Sequence, residues 1–330
     1  MQEVESMMNK IAVGVDLGGT NLRIVIGNNS GKFLAKKEQT VVTTDKYSIS
    51  SQISDGIREL CSEIDSNLEE VEGVGIASTG PIDLDKGKLV NPTNLPFGEV
   101  PLNMPIQEDL KVPTRILNDC TAAVMGERVF GIGRENYVDN IVYVNIGTGI
   151  GAGAIVDGNL LLGKNGNAVE IGHMTVDIHG GLRCGCGCNG HWEAYSSGRN
   201  IPTFVRAELE RMSGEDVQRS QIYERMEERG EVSTEFLYKS VKSGDVFAQR
   251  IVDRINKYNC VGFSNIVDFY DPSLITVGGT VALENKDLII PPIRKGIDDM
   301  TRNEVPEIKA TPLGEDVGLY GALALAFGKE

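Results

Sequence analysis

Residues 11–27 read I-A-V-G-V-D-L-G-G-T-N-L-R-I-V-I-G. Two β-branched apolar runs, 11–16 and 22–27, flank L-G-G-T-N, a linker too short for anything but a tight turn. They are expected to pair as a β-hairpin. A third strand is expected over 32–40, after the N-N-S-G-K turn. The spacing of Ile49, Ile53, Ile57, Leu60 and Ile64 predicts a helix over 48–64, and 71–78 returns to strand. The order β-β-β-α-β signals a mixed sheet and not a purely parallel, doubly wound one. Residues 142–156, V-Y-V-N-I-G-T-G-I-G-A-G-A-I-V, repeat the theme, with Asn145 falling on Asp16. Each copy is a buried strand, a Gly/Thr turn and a second strand, so the chain is expected to contain two related halves.

Outward from these, residues 81–105 hold five of the twelve prolines and are expected to form an irregular crossing loop. A strand is expected over 114–117, ended by Asn118-Asp119, then a helix over 121–130 stopped by G-I-G. Highly charged helical tracts over 201–228 and 235–243 read as solvated faces, and 248–270 as an amphipathic helix. A strand over 274–277 runs into G-G-T-V-A, and helices are expected over 288–300 and 316–327.

At 330 residues the chain can bury a sizeable core, and its length favours two domains. Thirty-two basic and 47 acidic residues give a formal charge of −15, which disfavours attraction to nucleic acid or an anionic membrane. A bound polyphosphate must then be met by backbone amides, a few cations and metal ions. No apolar run reaches the ~18–20 residues a membrane span needs. The first ten residues carry charge early and lack an apolar core, so no signal peptide is expected. Cysteine usage suits metal binding in a reducing compartment better than a disulfide framework, with Cys61, Cys120 and Cys260 as single buried thiols. These features point to a cytoplasmic enzyme.

The chemistry concentrates in residues 170–193: E-I-G-H, ten intervening residues, then C-G-C-G-C-N-G-H-W-E. All three histidines and three of the six cysteines lie there. Thiolate and imidazole together suit tetrahedral zinc. The best four-ligand set is His173, Cys184, Cys186 and His191, with Cys188 and His179 as spare candidates; the alternative is an unmetallated Gly-rich turn. A closed site of four ligands is structural, and its use here is to hold Glu170 and Glu193, which bracket it.

Three Gly-rich turns follow expected strands: Gly18-Gly19-Thr20, Gly147-Thr148-Gly149 and Gly278-Gly279-Thr280. Their amides can approach an anion, and none is a Walker-A loop. Asp16 reads either as a Mg2+ ligand, direct or through water, or as a turn residue bonding its own backbone. Asp119 reads either as a helix cap or as a general base taking a proton from a hydroxyl that attacks phosphorus. Glu170, Glu193, Asn94 and Asn118 suit hydrogen bonds to vicinal hydroxyls of a small substrate.

D-L-G-G-T-N, N-I-G-T-G-I-G-A-G, E-I-G-H and C-G-C-G-C-N-G-H-W-E are similar to motifs of the ROK family (repressors, open reading frames, kinases), especially its glucokinase-type sugar kinases, over about residues 11–328. The resemblance implies an α/β, two-lobed actin-like ATPase (ribonuclease H-like) fold with duplicated β-β-β-α-β-α halves. It implies a small lobe of 1–118 plus 316–330, and a large lobe of 119–315 with the zinc motif and dimer-forming helices. Asp119 is then the catalytic base, and Gly80, Asn94, Asn118, Asp119, Glu170, His173 and Glu193 contact the sugar. His173 serves twice, one ring nitrogen on structural Zn2+ and the other toward a hydroxyl. Asp16, Gly18, Gly19, Thr20 and Asn21, with Gly147, Thr148 and Gly149, hold ATP phosphates and Mg2+, while Gly278 and Gly279 lie near the adenosine. The family is commonly dimeric, so a homodimer or homotetramer is implied, as is closure of two lobes over the sugar.

The activity implied is transfer of the γ-phosphoryl group of ATP to the 6-hydroxyl of glucose or a related hexose. Alternative acceptors are fructose, N-acetylmannosamine and N-acetylglucosamine. Other classes are a sugar-responsive repressor, which carries a helix-turn-helix ahead of the first strand where this chain has ten residues, and a regulatory or filament-forming ATPase. Three departures from the family pattern stand out: His191 replaces a zinc cysteine, Val169 stands where glycine is usual, and the charged tract 201–243 is long.

Overall fold

The computed structural model describes residues 10–92, 95–136 and 138–329. In chain order the first elements are β1 (Ile11–Leu17), β2 (Asn21–Asn28), β3 (Phe33–Thr40), α1 (Ser48–Glu63), β4 (Val71–Ser78), β5 (Ile82–Asp83), β6 (Lys88–Val90), β7 (Glu99–Pro101), α2 (Asn103–Leu110), β8 (Thr114–Asn118) and α3 (Asp119–Val129). They are followed by β9 (Ile141–Ile146), β10 (Ile150–Val156), β11 (Asn159–Leu160), α4 (Glu193–Ser196), α5 (Ile201–Arg211), α6 (Gln221–Arg229), α7 (Thr234–Lys242) and α8 (Val246–Tyr270). The chain closes with β12 (Leu274–Gly278), α9 (Lys286–Gly296), β13 (Glu307–Ala310) and α10 (Val317–Ala326).

One five-stranded sheet has the order β3-β2-β1-β4-β8 and another the order β11-β10-β9-β12-β13. Counted along the chain, both run third, second, first, fourth, fifth. The duplication expected from the sequence echo is thus a duplication of topology. In the first sheet β1–β2 and β2–β3 pair antiparallel, while β1–β4 and β4–β8 pair parallel. In the second, β10–β11 is antiparallel and β12–β13 parallel, as the matching positions require.

The chain divides into two compact units. The first takes the chain up to Tyr143, Gly153–Val169 and Thr311–Glu330; the second takes Val144–Ala152 and Glu170–Ala310. The expected boundary at 118/119 falls inside the first unit, and α3 stays with the sheet it follows.

In the first unit, β1 is buried along nearly its whole length because both faces of its sheet are covered. Ile49, Ile53, Ile57 and Leu60 of α1 close one face. On the other, α10 lies so close to β1 and β4 that a Cβ on Gly14 would stand 2.8 Å from the Leu319 carbonyl oxygen and one on Gly75 would overlap that of Ala322. In the second unit Trp192, with no exposed surface, meets Phe263 of α8 edge-on at 5.6 Å and donates through Nε1 to Asn259 at 2.9 Å.

Three expectations change. Residues 81–105 are not irregular throughout: β5, β6 and β7 form a small antiparallel sheet that buries Leu89 and Val100, and α2 begins at Asn103. Strands of two or three residues are too short to show alternation. Pro105 falls in the first turn of α2, where a missing N–H costs nothing. The helix expected over 121–130 begins at Asp119, and its cap is Asn118 rather than Asp119. The tract 201–228 is broken near Gly214, whose φ of 142° no helix accommodates: α5 ends before it, and a one-turn helix (Glu215–Gln218) separates it from α6.

Candidate active site and metal centre

The parallel register of β1, β4 and β8 pairs Leu17 with Ser78 and Ser78 with Asn118. Asp16, Gly80, Asn118 and Asp119 therefore gather at the carboxyl ends of adjacent parallel strands, the edge at which open α/β sheets bind ligands. Gly18, Gly19 and Gly80 line one small depression there, with Ser78, Thr79 and Leu89. A larger cavity of ≈ 480 Å³, lined by Lys37, Gln39, Tyr47 and Gln52 among others, contains none of the expected site residues.

Asn118 accepts through its side-chain oxygen from the amides of Cys120 (3.0 Å) and Thr121 (3.3 Å). That oxygen is committed to the cap, so its NH2 group is what it can offer a hydroxyl. Asp119, half-buried, accepts from the Cys120 amide at 2.8 Å. Asn118, not Asp119, is thus the side-chain cap of α3, and the Asp119 carboxylate lies at the positive end of that helix.

Asp16 does not bond its own turn. Gly18 and Asn21 close the hairpin through backbone (2.9 Å), while Arg23 donates to Asp16 from Nε at 3.0 Å and from Nη2. Arg23 also reaches Asp316 at 3.0 Å, and Lys36 meets Asp316 at 2.7 Å. Burial works against the Arg23 charge, but Asp16, Asp316 and Glu38 together hold its pKa above the ordinary value. Arg23 and Asp316 were not singled out in the sequence. The signal for Arg23 was present, because a hairpin pairing Leu17 with Leu22 must set Asp16 opposite Arg23. Thr20 and Asn21 are exposed on this turn.

In the second unit the turns after β9 and β12 come together. Gly279 has φ +88°, and a Cβ there would lie 2.5 Å from the Ile146 carbonyl group and 2.7 Å from the Asn145 side-chain oxygen. Gly147 lies against Gly279, and its amide bonds the Gly149 carbonyl at 3.0 Å. Thr148 is exposed, Gly149 partly so, and Gly278 is buried at the end of β12. Only glycine at position 279 permits this approach of the two turns.

His173, Cys184, Cys186 and His191 place one ligand atom each within 4.8 Å of one another. His173 Nδ1 is 3.7 Å from Cys184 Sγ, and Cys186 Sγ is 3.3 Å from His191 Nδ1. A tetrahedral zinc with bonds of about 2.3 Å to sulfur and 2.0 Å to nitrogen sets such pairs roughly 3.5 Å apart. Burial, then the neighbouring His173, keeps the His191 imidazole below its ordinary pKa and so neutral, as a ligand must be. Burial pushes the Cys184 thiol up to about 11, while the Cys188 amide lowers Cys186. A bound cation deprotonates a coordinating thiol outright, so the donor set fits Zn2+. Cys188 and His179, the spare candidates, are exposed and outside the cluster. Cys61, Cys120 and Cys260 are buried and unbridged, as expected.

The knot is bolted to α8. Tyr195 stacks on Tyr258 at 4.1 Å, donates to Asp177 at 2.7 Å and accepts from the Leu182 amide at 3.0 Å. Trp192, between His191 and Glu193, is the buried anchor described above. The two bracketing carboxylates are thereby fixed differently. Glu193 opens α4 and accepts from the Ile150 amide at 3.1 Å. Glu170 is exposed, with Oε2 4.0 Å from His173 Nε2. His173 thus turns Nδ1 to the metal cluster and Nε2 toward Glu170. Gly172 between them admits no side chain, since a Cβ would overlap the Ile150 carbonyl. Val169, just before Glu170, is buried with φ +64°, a left-handed conformation that costs a β-branched residue on the order of 1–3 kcal/mol. Asn94 lies outside the described residues.

The ROK family model matches residues 12–329. A glucokinase from Pyrobaculum calidifontis is 33% identical over 320 residues, 96% of this chain and 94% of that one. The solved structure of a ROK hexokinase from Thermus thermophilus is similar at a TM-score of 0.78 and 26% identity, covering 97% of this chain and 98% of that one. A ROK family glucokinase from Streptomyces griseus, solved in complex with glucose and AMPPNP, gives 0.73 and 26% over 96% and 99%.

Proposed function

This chain belongs to the ROK family, and from that premise we propose that it is an ATP-dependent glucokinase in which Asp119 is the general base. The observation that carries this reading is the E-I-G-H turn, whose His173 gives Nδ1 to the metal cluster while Nε2 stands beside Glu170. A turn so built presents a carboxylate and an imidazole at fixed spacing, which is what vicinal sugar hydroxyls bind. Glu193, held on the Ile150 amide, adds a second oriented carboxylate.

Asp119 takes the proton of the 6-hydroxyl as that oxygen attacks the γ-phosphorus, and the bond from that phosphorus to the bridging oxygen breaks to release ADP. The sugar-binding residues of the first unit are Gly80, Asn94 and Asn118, and those of the second are Glu170, His173 and Glu193. The amides of Gly18, Gly19, Thr20 and Asn21, with those of Gly147, Thr148 and Gly149, hold the phosphates, and Gly278-Gly279 sits beside the adenosine. Asp16 would be the carboxylate to hold Mg2+, which when bound would neutralise charge developing on the transferred group. The zinc knot takes no part in the chemistry and keeps Glu170, His173 and Glu193 in place.

The finer reading is a cytoplasmic homodimer or homotetramer without nucleic-acid partners. The exposed Val246 and Phe269 at the two ends of α8 and the formal charge of −15 support it. Among the described residues no helix is long and apolar enough to cross a membrane. The test is a coupled kinase screen of a dozen hexoses and amino sugars with ATP. Glucose is expected to turn over fastest with glucose 6-phosphate as product; hydrolysis of ATP that no sugar stimulates overturns the reading.

A further inference from the structure

Glu127 lies about two turns along α3 from Asp119 and has no exposed surface. Its Oε1 accepts from the hydroxyl of Thr311, the residue at which the chain re-enters the first unit. The same hydroxyl oxygen accepts from the Leu313 amide at 3.1 Å. Three residues on, Asp316 pairs with Arg23 and Lys36, the Glu315 carbonyl accepts from Arg23 at 3.0 Å, and Arg23 grips Asp16. Beyond that, α10 packs on α3 at backbone distance: a Cβ on Gly126 would lie 2.7 Å from the Gly321 nitrogen. A continuous series of polar bonds therefore runs from the helix that Asp119 opens to the strand end that carries Asp16.

We propose that Glu127, Thr311 and Asp316 are positioning residues for phosphoryl transfer, a strap that keeps Asp16 in register with Asp119. The proposal rests on the roles given above to those two carboxylates. The carboxyl at position 127 has no exposed surface. Burial pushes it up to about 7, with the Thr311 hydroxyl and the Ile132 amide pulling it only part of the way back. A buried ionisable group of this kind weighs against folding, and an apolar side chain of similar size fills the space at lower cost. Its return is the fixed place of Thr311. Tyr143 on β9 is held above its ordinary pKa by burial and then by Cys120, Asp119, Glu127 and Asp16. The adjacent Arg128 is turned away, to Asp139 and the Gly158 carbonyl, both at 2.9 Å.

The test compares two conservative and two disruptive variants in the coupled glucose assay, beside Asp119→Asn. Glu127→Gln and Thr311→Ser keep the bond and are expected to keep kcat within about twofold. Glu127→Met and Thr311→Val break it and are expected to lower kcat by about tenfold or more with little change in the KM for glucose, as mis-set reacting groups do. The double variant should be no slower than the worse single one. Thermal melts at pH 8 should find Glu127→Met at least as stable as wild type, which separates lost positioning from lost structure. Full kcat in folded Glu127→Met and Thr311→Val overturns the strap, as does a loss that follows the loss of folded protein. Turnover surviving in Asp119→Asn overturns the base assignment instead and leaves the strap's bonds to be judged on the other variants.

Discussion

The two sheets share one strand order, yet their corresponding turns are chemically opposite. Near the end of β1 the chain sets a carboxylate, Asp16, paired with Arg23 from the partner strand of its hairpin. Near the end of β9 it sets Asn145, uncharged, against the backbone of Gly279. The first strand end thus carries a charge at this position and the second does not. The connections differ as well. One helix, α1, joins the third and fourth strands of the first sheet, whereas the second sheet spends residues 161–273 there on the metal knot and α4 to α8. A duplicated frame supplies position, and what is inserted into it or changed at its strand ends supplies the chemistry.

The comparison is broken most severely by removing the knot. Stripping Zn2+ with a chelator, or Cys184→Ser, should cost a large share of the ~10–16 kcal/mol apparent for structural zinc and with it glucose turnover. Metal analysis should find about one zinc per chain beforehand. A metal-free protein with an unchanged melt and unchanged turnover would contradict this. Next in size, Asp16→Asn makes the first turn resemble the second. It should lower kcat roughly 10²-fold, the scale of losing one electrostatic stabiliser, and raise the Mg2+ requirement in a magnesium titration.

Glu127 gives the third effect, one on stability. Burial holds its folded-state carboxyl at about 7 against the ordinary 4.5, so the unfolded chain releases this proton first as pH rises. Stability from this group is complete below 4.5, falls through the interval and levels off above about 7. Glu127→Gln, which does not titrate, should match wild type at pH 4 and exceed it at pH 8 by up to about 3 kcal/mol in denaturant melts. The smallest effect comes from Asn145→Asp, which gives the second turn the charge of the first. It should raise the KM for ATP about tenfold through repulsion of the polyphosphate and leave the KM for glucose alone.

Much of the frame was legible in the chain. The hairpin over residues 11–27, its echo and the helix of Ile49, Ile53 and Ile57 follow from periodicity, because each buries an apolar face against a sheet. The cluster of His173, Cys184, Cys186 and His191 was legible because His and Cys are scarce here and crowd one window. The sequence did not disclose β5 to β7, whose pairing is made by backbone rather than pattern. It also hid contacts made across long separations. Arg23 with Asp316 and Glu127 with Thr311 join residues 293 and 184 positions apart, where no local spacing signals them. Val169 was visible as a departure, but its left-handed backbone was not, since propensity steers a β-branched residue to strand.

The most direct test of the whole reading is glucose binding by calorimetry beside turnover for Asp119→Asn. If Asp119 is the base, glucose affinity stays within about threefold of wild type while kcat falls by about 10³-fold, within the range general-base removal produces. Near-normal kcat with intact binding would instead remove Asp119 from the chemistry and leave the carboxyl ends of β1, β4 and β8 without their proposed role.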